Sequence, residues 1–213
     1  MSSEWQKPHG SRFSDHPSPI THHGEMGSNL YLGLVHHPIY DKRKEVVATA
    51  VTNFDVHDIA RCARTFGLGG FFVITPLESQ IQLVERIVRH WVEGAGATYN
   101  PTRKESLSLV QVSRSIDEAD RAVSDLWRKK VKRVATGAAP HPQSIGFEPL
   151  RQLLGDHETP FLILFGTGWG LTREVKDSSD YVLAPIEGRG YNHLPVRSAV
   201  AIILDRLLGD RMM

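Results

Sequence analysis

The sequence predicts an α/β domain: a mainly parallel β-sheet flanked by helices. Two observations predict the class. Short apolar runs alternate with longer amphipathic stretches from Asn29 onward, and several runs, such as Phe161-Leu162-Ile163-Leu164-Phe165, are apolar at consecutive positions. Consecutive apolar residues mark strands covered on both faces, as in parallel sheets. A third observation sets the scale. The 213 residues, 40% hydrophobic and 23% charged, are enough for one domain with a sizeable core and too few for two large ones.

Taken in order, residues 1–28 are rich in Ser, Pro, His and Gly, a composition that cannot bury a core; we read them as a tail outside the domain, which then covers 29–213. Leu30 to Val35 is the first strand and Glu45 to Val51 the second. Asp55 is a good helix cap, with acidic Asp58 in the first turn. Val56, Ile59, Ala60, Ala63 and Phe66 form that helix's apolar stripe, and Gly67 marks its end. Gly70 to Thr75 is a strand closed by Pro76, a helix covers about Ser79 to Val92, and Glu93 to Lys104 reads as a loop. A strand at Leu107 to Val112 and an amphipathic helix at Ser115 to Arg128 follow. Next come a strand at Val131 to Thr136 and a short helix at Gly146 to Leu154. The strand Phe161 to Phe165 leads into a glycine loop, Gly166 to Leu171. A last strand ends at Val182 to Ile186; a polar loop, Glu187 to His193, and a helix from about Leu194 to Leu208 complete the chain.

The bulk numbers exclude several classes. A formal net charge of +1 carries no overall polyanion-binding signal. The single cysteine, Cys62, rules out an internal disulfide framework and a cysteine-rich zinc site, and fits a reducing compartment. No apolar run approaches the ~20 residues of a membrane span, and the first 28 residues lack the shape of a secretory signal. The expectation is a cytoplasmic protein without membrane or metal partners. His36-His37 lacks a companion at metal-ligand spacing, and the tail histidines (His9, His16, His22, His23) are irregularly spaced.

Chemistry is expected at one edge of the sheet. Gly137 to Pro140, Gly166 to Leu171 and Ala184 to Pro195 each follow an apolar strand. In a parallel sheet they lie together at the carboxyl edge, where open α/β sheets bind ligands. Gly166-x-Gly168-x-Gly170 has the wrong spacing and place for a dinucleotide fingerprint, so a nicotinamide-dependent oxidoreductase rests on those glycines alone. On the helix begun by Asp55, His57, Arg61 and Arg64 share one face. That face is either a solvated polar surface or a set of phosphate and ribose contacts. Tyr99 with Arg103 and Lys104 combines a stacking ring with cations, a pattern suited to RNA. The densest basic run, Arg128 to Arg133, straddles a helix end and reads as a solvated terminus. There is no Gly-x-Ser-x-Gly elbow, and Cys62, among alanines and arginines on a helix, reads as a packed residue.

The order of the three loops, together with Val51 to Arg61, Gly166-Thr167-Gly168-Trp169-Gly170-Leu171 and Asn192-His193-Leu194-Pro195-Val196-Arg197, resembles the SPOUT class of S-adenosylmethionine (SAM)-dependent RNA methyltransferases. The resemblance runs from about residue 29 to the end. It implies a C-terminal trefoil knot, against the general avoidance of knots, a cofactor held bent by backbone groups of the knotted loops, and a homodimer formed through the knot region. By the same resemblance Thr136, Gly137, Leu164, Gly166, Gly168, Gly170, Ile186, Asn192 and Leu194 surround S-adenosyl-L-methionine. Arg61, six residues before Gly67, matches a catalytic arginine of the ribose 2′-O branch, with His57, Asp58 and His193 as candidate bases; Arg64, Tyr99, Arg103 and Lys104 contact RNA. The chain departs from that branch at Asp55, at Thr167-Gly168 and at His193-Leu194-Pro195, which leaves ribose oxygen and base nitrogen both open as acceptors. A non-catalytic RNA- or nucleotide-binding knot protein is the rival reading.

Overall fold

The computed structural model describes residues 28–209. The predicted tail, apart from Ser28, and residues 210–213 lie outside them. The core is a seven-stranded sheet in the order β5-β4-β1-β8-β6-β9-β7. Its strands are β1 (Leu30–Val35), β4 (Gly70–Ile74), β5 (Val110–Ser113), β6 (Lys132–Ala135), β7 (Ser144–Ile145), β8 (Phe161–Gly166) and β9 (Tyr181–Leu183). Every pairing in it is parallel, as the unbroken apolar runs require. The last two strands enter between strands laid down earlier: β8 between β1 and β6, β9 between β6 and β7.

The period-2 alternation sorts the sheet's side chains onto two faces. Leu32, Leu34, Phe71, Val73, Val134 and Ile163 share a core with α1 (Asn53–Thr65), α6 (Phe147–Leu154) and α8 (Val196–Leu208). Tyr31, Val35, Phe72, Ile74, Leu162 and Leu164 share the other with α5 (Ile116–Trp127) and α7 (Arg173–Asp177). Truncating a fully buried residue such as Ile163 to alanine removes about 2–5 kcal/mol. The Tyr31 hydroxyl accepts a 2.9 Å hydrogen bond from Trp127 Nε1 of α5.

Several elements differ from the sequence expectation: β2 (Ile39–Tyr40), β7 and α7 are not anticipated, and β9 ends at Leu183 rather than Ile186. The run Glu45 to Val51 is not a sheet strand: only β3 (Val46–Val47) pairs, antiparallel, with β2. The rest is held singly, with Thr49 N donating to His36 O and Val51 N to the Gln80 side chain. The cap of α1 is Thr52, not Asp55: Thr52 Oγ1 accepts from Asp55 N and donates to Asp55 Oδ2 at 2.6 Å, a reciprocal capping arrangement. After α2 (Glu78–Val92), the predicted loop 93–104 is largely helical, as α3 (Ala95–Tyr99) and α4 (Pro101–Leu107). There Asn100 caps with Pro101 behind it, a start signal rather than a break. Leu107 therefore ends a helix, and β5 begins at Val110.

Candidate functional site

The three loops converge. Thr136 to Ala139 after β6, Phe165 to Gly170 at the end of β8, and the segment from Ile186 to Val196 before α8 enclose a cleft of about 1000 Å3. Thr49, Ala50, Thr52 and Asp55, leading into α1, form a further wall, and Ala199 and Ile203 of α8 another. Of the residues expected around a cofactor, Thr136, Gly137, Gly166, Gly168, Gly170, Ile186, Asn192 and Leu194 line the cleft. Asn192 Nδ2 donates to Ala138 O at 2.8 Å and so ties the third loop to the first. Leu164 is placed differently. It is wholly buried in the second core, its side chain pressed on Gly33, and it serves the cleft through its carbonyl, which accepts from Thr136 N and Oγ1.

The glycine loop is shaped from below. Gly166 stands so close to the returning chain that a Cβ would come within 2.5 Å of Leu171 N. Gly168 has φ +55, and a Cβ there would meet Ile39 Cδ1 at 2.8 Å, so a side chain is both strained and obstructed. The β2–β3 hairpin pins the loop: Trp169 N donates to Tyr40 O and Tyr40 N to Gly170 O. Thr167 Oγ1 donates to Val35 O at 3.0 Å, and its oxygen faces Thr49 Oγ1 at 2.6 Å. Thr49 Oγ1 in turn lies 3.0 Å from His36 Nδ1. With Thr167 spending its proton on Val35 O, Thr49 donates to Thr167, and His36 Nδ1–H donates to Thr49. This fixes the tautomer of His36, whose Nε2 is buried without a partner. Burial lowers its pKa to about 4, against weaker opposing pulls from Asp55 and the Ala50 backbone, so the ring is neutral at physiological pH.

The candidate catalytic residues divide. His193 lines the cleft, its ring edge-on to Tyr191 at 5.4 Å. His57, Asp58 and Arg61 lie further along α1 and are not cleft-lining. His57 packs edge-on against Trp91 at 5.5 Å, its Nδ1 buried and unpartnered. Burial first, then Arg103 and Arg61, lowers its pKa, with Asp58 opposing. Arg61 is exposed and makes no ion pair among the described residues. Of the RNA candidates, Arg64 pairs with Glu105 of α4, Arg103 stacks over Trp91 at 4.5 Å, Lys104 is exposed on α4, and Tyr99 is 85% exposed. The basic run at 128–133 is largely neutralised: Lys129 by Glu158, Lys132 by Asp180, Arg133 by Asp117 and Asp120. Cys62 is half-buried, and burial raises its thiol pKa.

Arg197, in the first turn of α8, closes a motif of the sequence but has no role assigned to it there. Its guanidinium reaches Asp58 Oδ2 at 2.7 Å and Asp55 Oδ1 at 3.4 Å and lies over the Phe54 ring at 5.6 Å. It thereby fastens α8 and the third loop to α1. A cation at a helix start opposes the helix dipole, and that anomaly was a legible sign that it serves an acidic partner.

The cleft suits an adenosyl group. Phe165, Ile186, Leu194, Val196 and Ile203 offer apolar walls, and the glycine loop lets backbone amides and carbonyls come close.

Residues 29–209 match the family described as SAM-dependent RNA methyltransferase. A tRNA (guanine-N(1)-)-methyltransferase of Oleidesulfovibrio alaskensis is 43% identical over 189 residues, 87% of this chain. The chain spans only 43% of that relative's length. An uncharacterized protein of Aquifex aeolicus is 35% identical over 192 residues, 88% of this chain and 92% of that protein. Among solved structures, a probable methyltransferase from Bordetella pertussis Tohama I is 15% identical with a TM-score of 0.58, covering 85% of this chain and 95% of that one. The TrmH/SpoU tRNA modifying enzyme of A. aeolicus is 16% identical with a TM-score of 0.50, covering 85% and 74%. These likenesses carry the fold. The match over 29–209 carries the family: the chain belongs to the SAM-dependent RNA methyltransferases and has the SPOUT-class fold.

Proposed function

We propose that this protein binds S-adenosylmethionine in the three-loop cleft and transfers its methyl group to RNA. The observation that supports this most is the convergence of three strand-end loops on one cleft whose floor is backbone and whose walls are apolar. When bound there, the cofactor supplies an electrophilic methyl group for in-line displacement. The protein's part is then to position the acceptor and remove its proton.

His193 is the base that needs no rearrangement, because it already lines the cleft. The Asp58 carboxylate is engaged by Arg197, and His57 is packed on Trp91. Arg61 acts as an electrostatic anchor for a phosphate or for the acceptor, since a guanidinium does not give up its proton. The O. alaskensis relative makes tRNA the first substrate to test, and its printed activity belongs to a longer protein.

A C-terminal knot accords with the late entry of β8 and β9 between earlier strands. A homodimer through α1, α8 and the third loop accords with the exposure of Phe54, Tyr191 and Leu194 around them. This reading places the protein in the cytoplasm with its RNA. No helix among the described residues is long and apolar enough to cross a membrane.

Calorimetry tests the cofactor: S-adenosylhomocysteine should bind and NAD should not, and the reverse would restore the oxidoreductase reading. Arg61→Ala should abolish methyl transfer while leaving S-adenosylhomocysteine binding intact; retained transfer would refute the anchor role.

A further inference from the structure

A second pocket, of about 560 Å3, lies beside the cleft. Tyr40 after β2, His141 and Gln143 before β7, and Trp169, Arg173 and Lys176 from the glycine loop into α7 form it. Trp169 and Lys176 also line the cleft, so the two cavities share a wall. Trp169 is 67% exposed and has no aromatic partner among the described residues. An indole this open, at the end of a loop otherwise tightly pinned, contributes nothing to the core and offers a flat stacking surface.

The charges are unevenly matched. Asp177 is occupied twice, by Arg173 Nε at 3.2 Å and His141 Nε2 at 3.0 Å. Lys176 is half-buried and has no carboxylate partner among the described residues. Burial alone lowers its pKa. Its ammonium sits against the first cofactor loop, where a Cβ on Gly137 would lie 3.0 Å from Nζ. A cation withdrawn from water without a counter-ion is costly, and an arriving anion offsets that cost.

A free aromatic face and an unpartnered cation in a pocket of small-ligand size together specify a nucleotide: a base for the ring, a phosphate for the ammonium. We propose that this pocket is an RNA subsite, holding the nucleotide next to the methyl acceptor with its base on Trp169 and its phosphate on Lys176. The proposal rests on the RNA-methylation reading for the identity of the strand, and its test does not depend on methyl transfer.

The probe is a fluorescein-labelled single-stranded oligouridine decamer, titrated by anisotropy at several salt concentrations, with S-adenosylhomocysteine calorimetry in parallel. Trp169→Ala should weaken decamer binding about tenfold, and Trp169→Phe should restore most of it, as a stacking role requires. Lys176→Met should reduce the slope of log affinity against log salt by about 0.7, the loss of one phosphate contact on a single strand. Both variants should change decamer affinity several-fold more than S-adenosylhomocysteine affinity. Failure of the wild-type protein to bind the decamer, or unchanged decamer affinity and slope in both variants, overturns the proposal. So does a loss confined to S-adenosylhomocysteine, which would assign Lys176 to the cofactor's carboxylate. A change in oligomeric mass for Trp169→Ala would overturn it by making the ring an interface residue. A protein that binds the decamer through Trp169 and Lys176 yet methylates no RNA keeps the subsite and loses the catalytic reading; the opposite pattern does the reverse.

Discussion

Stability should depend on pH through one buried ring. His36 is fully buried, holds Thr49 through Nδ1–H, and has an Nε2 with no partner. Its pKa falls from 6.5 to about 4 in the folded chain. A histidine with a lowered folded pKa binds its proton preferentially in the unfolded state. Stability is therefore complete above pH 6.5 and drains away as pH falls toward 4, at about 1.4 kcal/mol per unit and about 3 kcal/mol in total. His57, also lowered by burial, adds in the same direction. Asp180, held low chiefly by Lys132 and the Arg133 amide against its burial, titrates beneath this window. Asp120, raised by burial, works the opposite way above its ordinary value. Urea unfolding between pH 7.5 and 4.5 measures the effect, with His36→Asn as the control because it keeps a donor toward Thr49. The variant should be weaker than wild type at pH 7.5 by about 1–3 kcal/mol, from the lost ring volume, and the difference should narrow steadily toward pH 4.5. A difference constant across that range would refute the neutral, buried assignment.

Three further outcomes follow, two from the site and one from the core beneath it. Gly168→Ala sets a Cβ at φ +55 against Ile39; it should cost about 1–3 kcal/mol in denaturant unfolding and weaken S-adenosylhomocysteine at least tenfold by calorimetry. Arg197→Met removes the tie between α8 and Asp55 and Asp58. Because the closer pair, Arg197 with Asp58, is about 40% exposed on both sides, the stability loss should be no more than about 1 kcal/mol, while methyl transfer should fall much further as the third loop loses its anchor. Ile163→Ala, at the centre of β8, should lower stability by about 2–5 kcal/mol without altering the ratio of RNA to cofactor affinity.

How much of this was legible in the sequence varied with the range of the interactions. The stripe Val56, Ile59, Ala60 and Ala63 identified α1 because period 3.6 is a local signal, and all four are buried. The sheet's parallel character followed from runs such as Phe161 to Phe165, which lie between β1 and β6 with both faces covered. The three loops around the cleft were legible for the same reason, since a loop after a buried parallel strand must surface at the carboxyl edge. Glu45 to Val51 was misread because β-branched residues report only a tolerance for extended backbone; a strand also needs a partner, and here only Val46–Val47 finds one. The stretch 93–104 reads as a loop because it has no apolar stripe long enough to mark a helix, yet Asn100 and Pro101 cap and start one. Leu164 and Thr167 show the limit for the site. In sequence both lie within two residues of Gly166, yet Leu164 is packed on Gly33 and Thr167 reaches a hydroxyl, Thr49, that is 118 residues away. Lys176 and Arg197 gain their meaning from Gly137, Asp55 and Asp58, which only the folded chain brings near.

The most direct test of the account is incorporation of labelled methyl from S-adenosylmethionine into RNA by the purified protein, with tRNA offered first and total RNA second. The account predicts label in the RNA fraction that ribonuclease releases and that Arg61→Ala abolishes. Binding of S-adenosylhomocysteine with no label transferred to any RNA would contradict it and leave a nucleotide-binding protein without transfer.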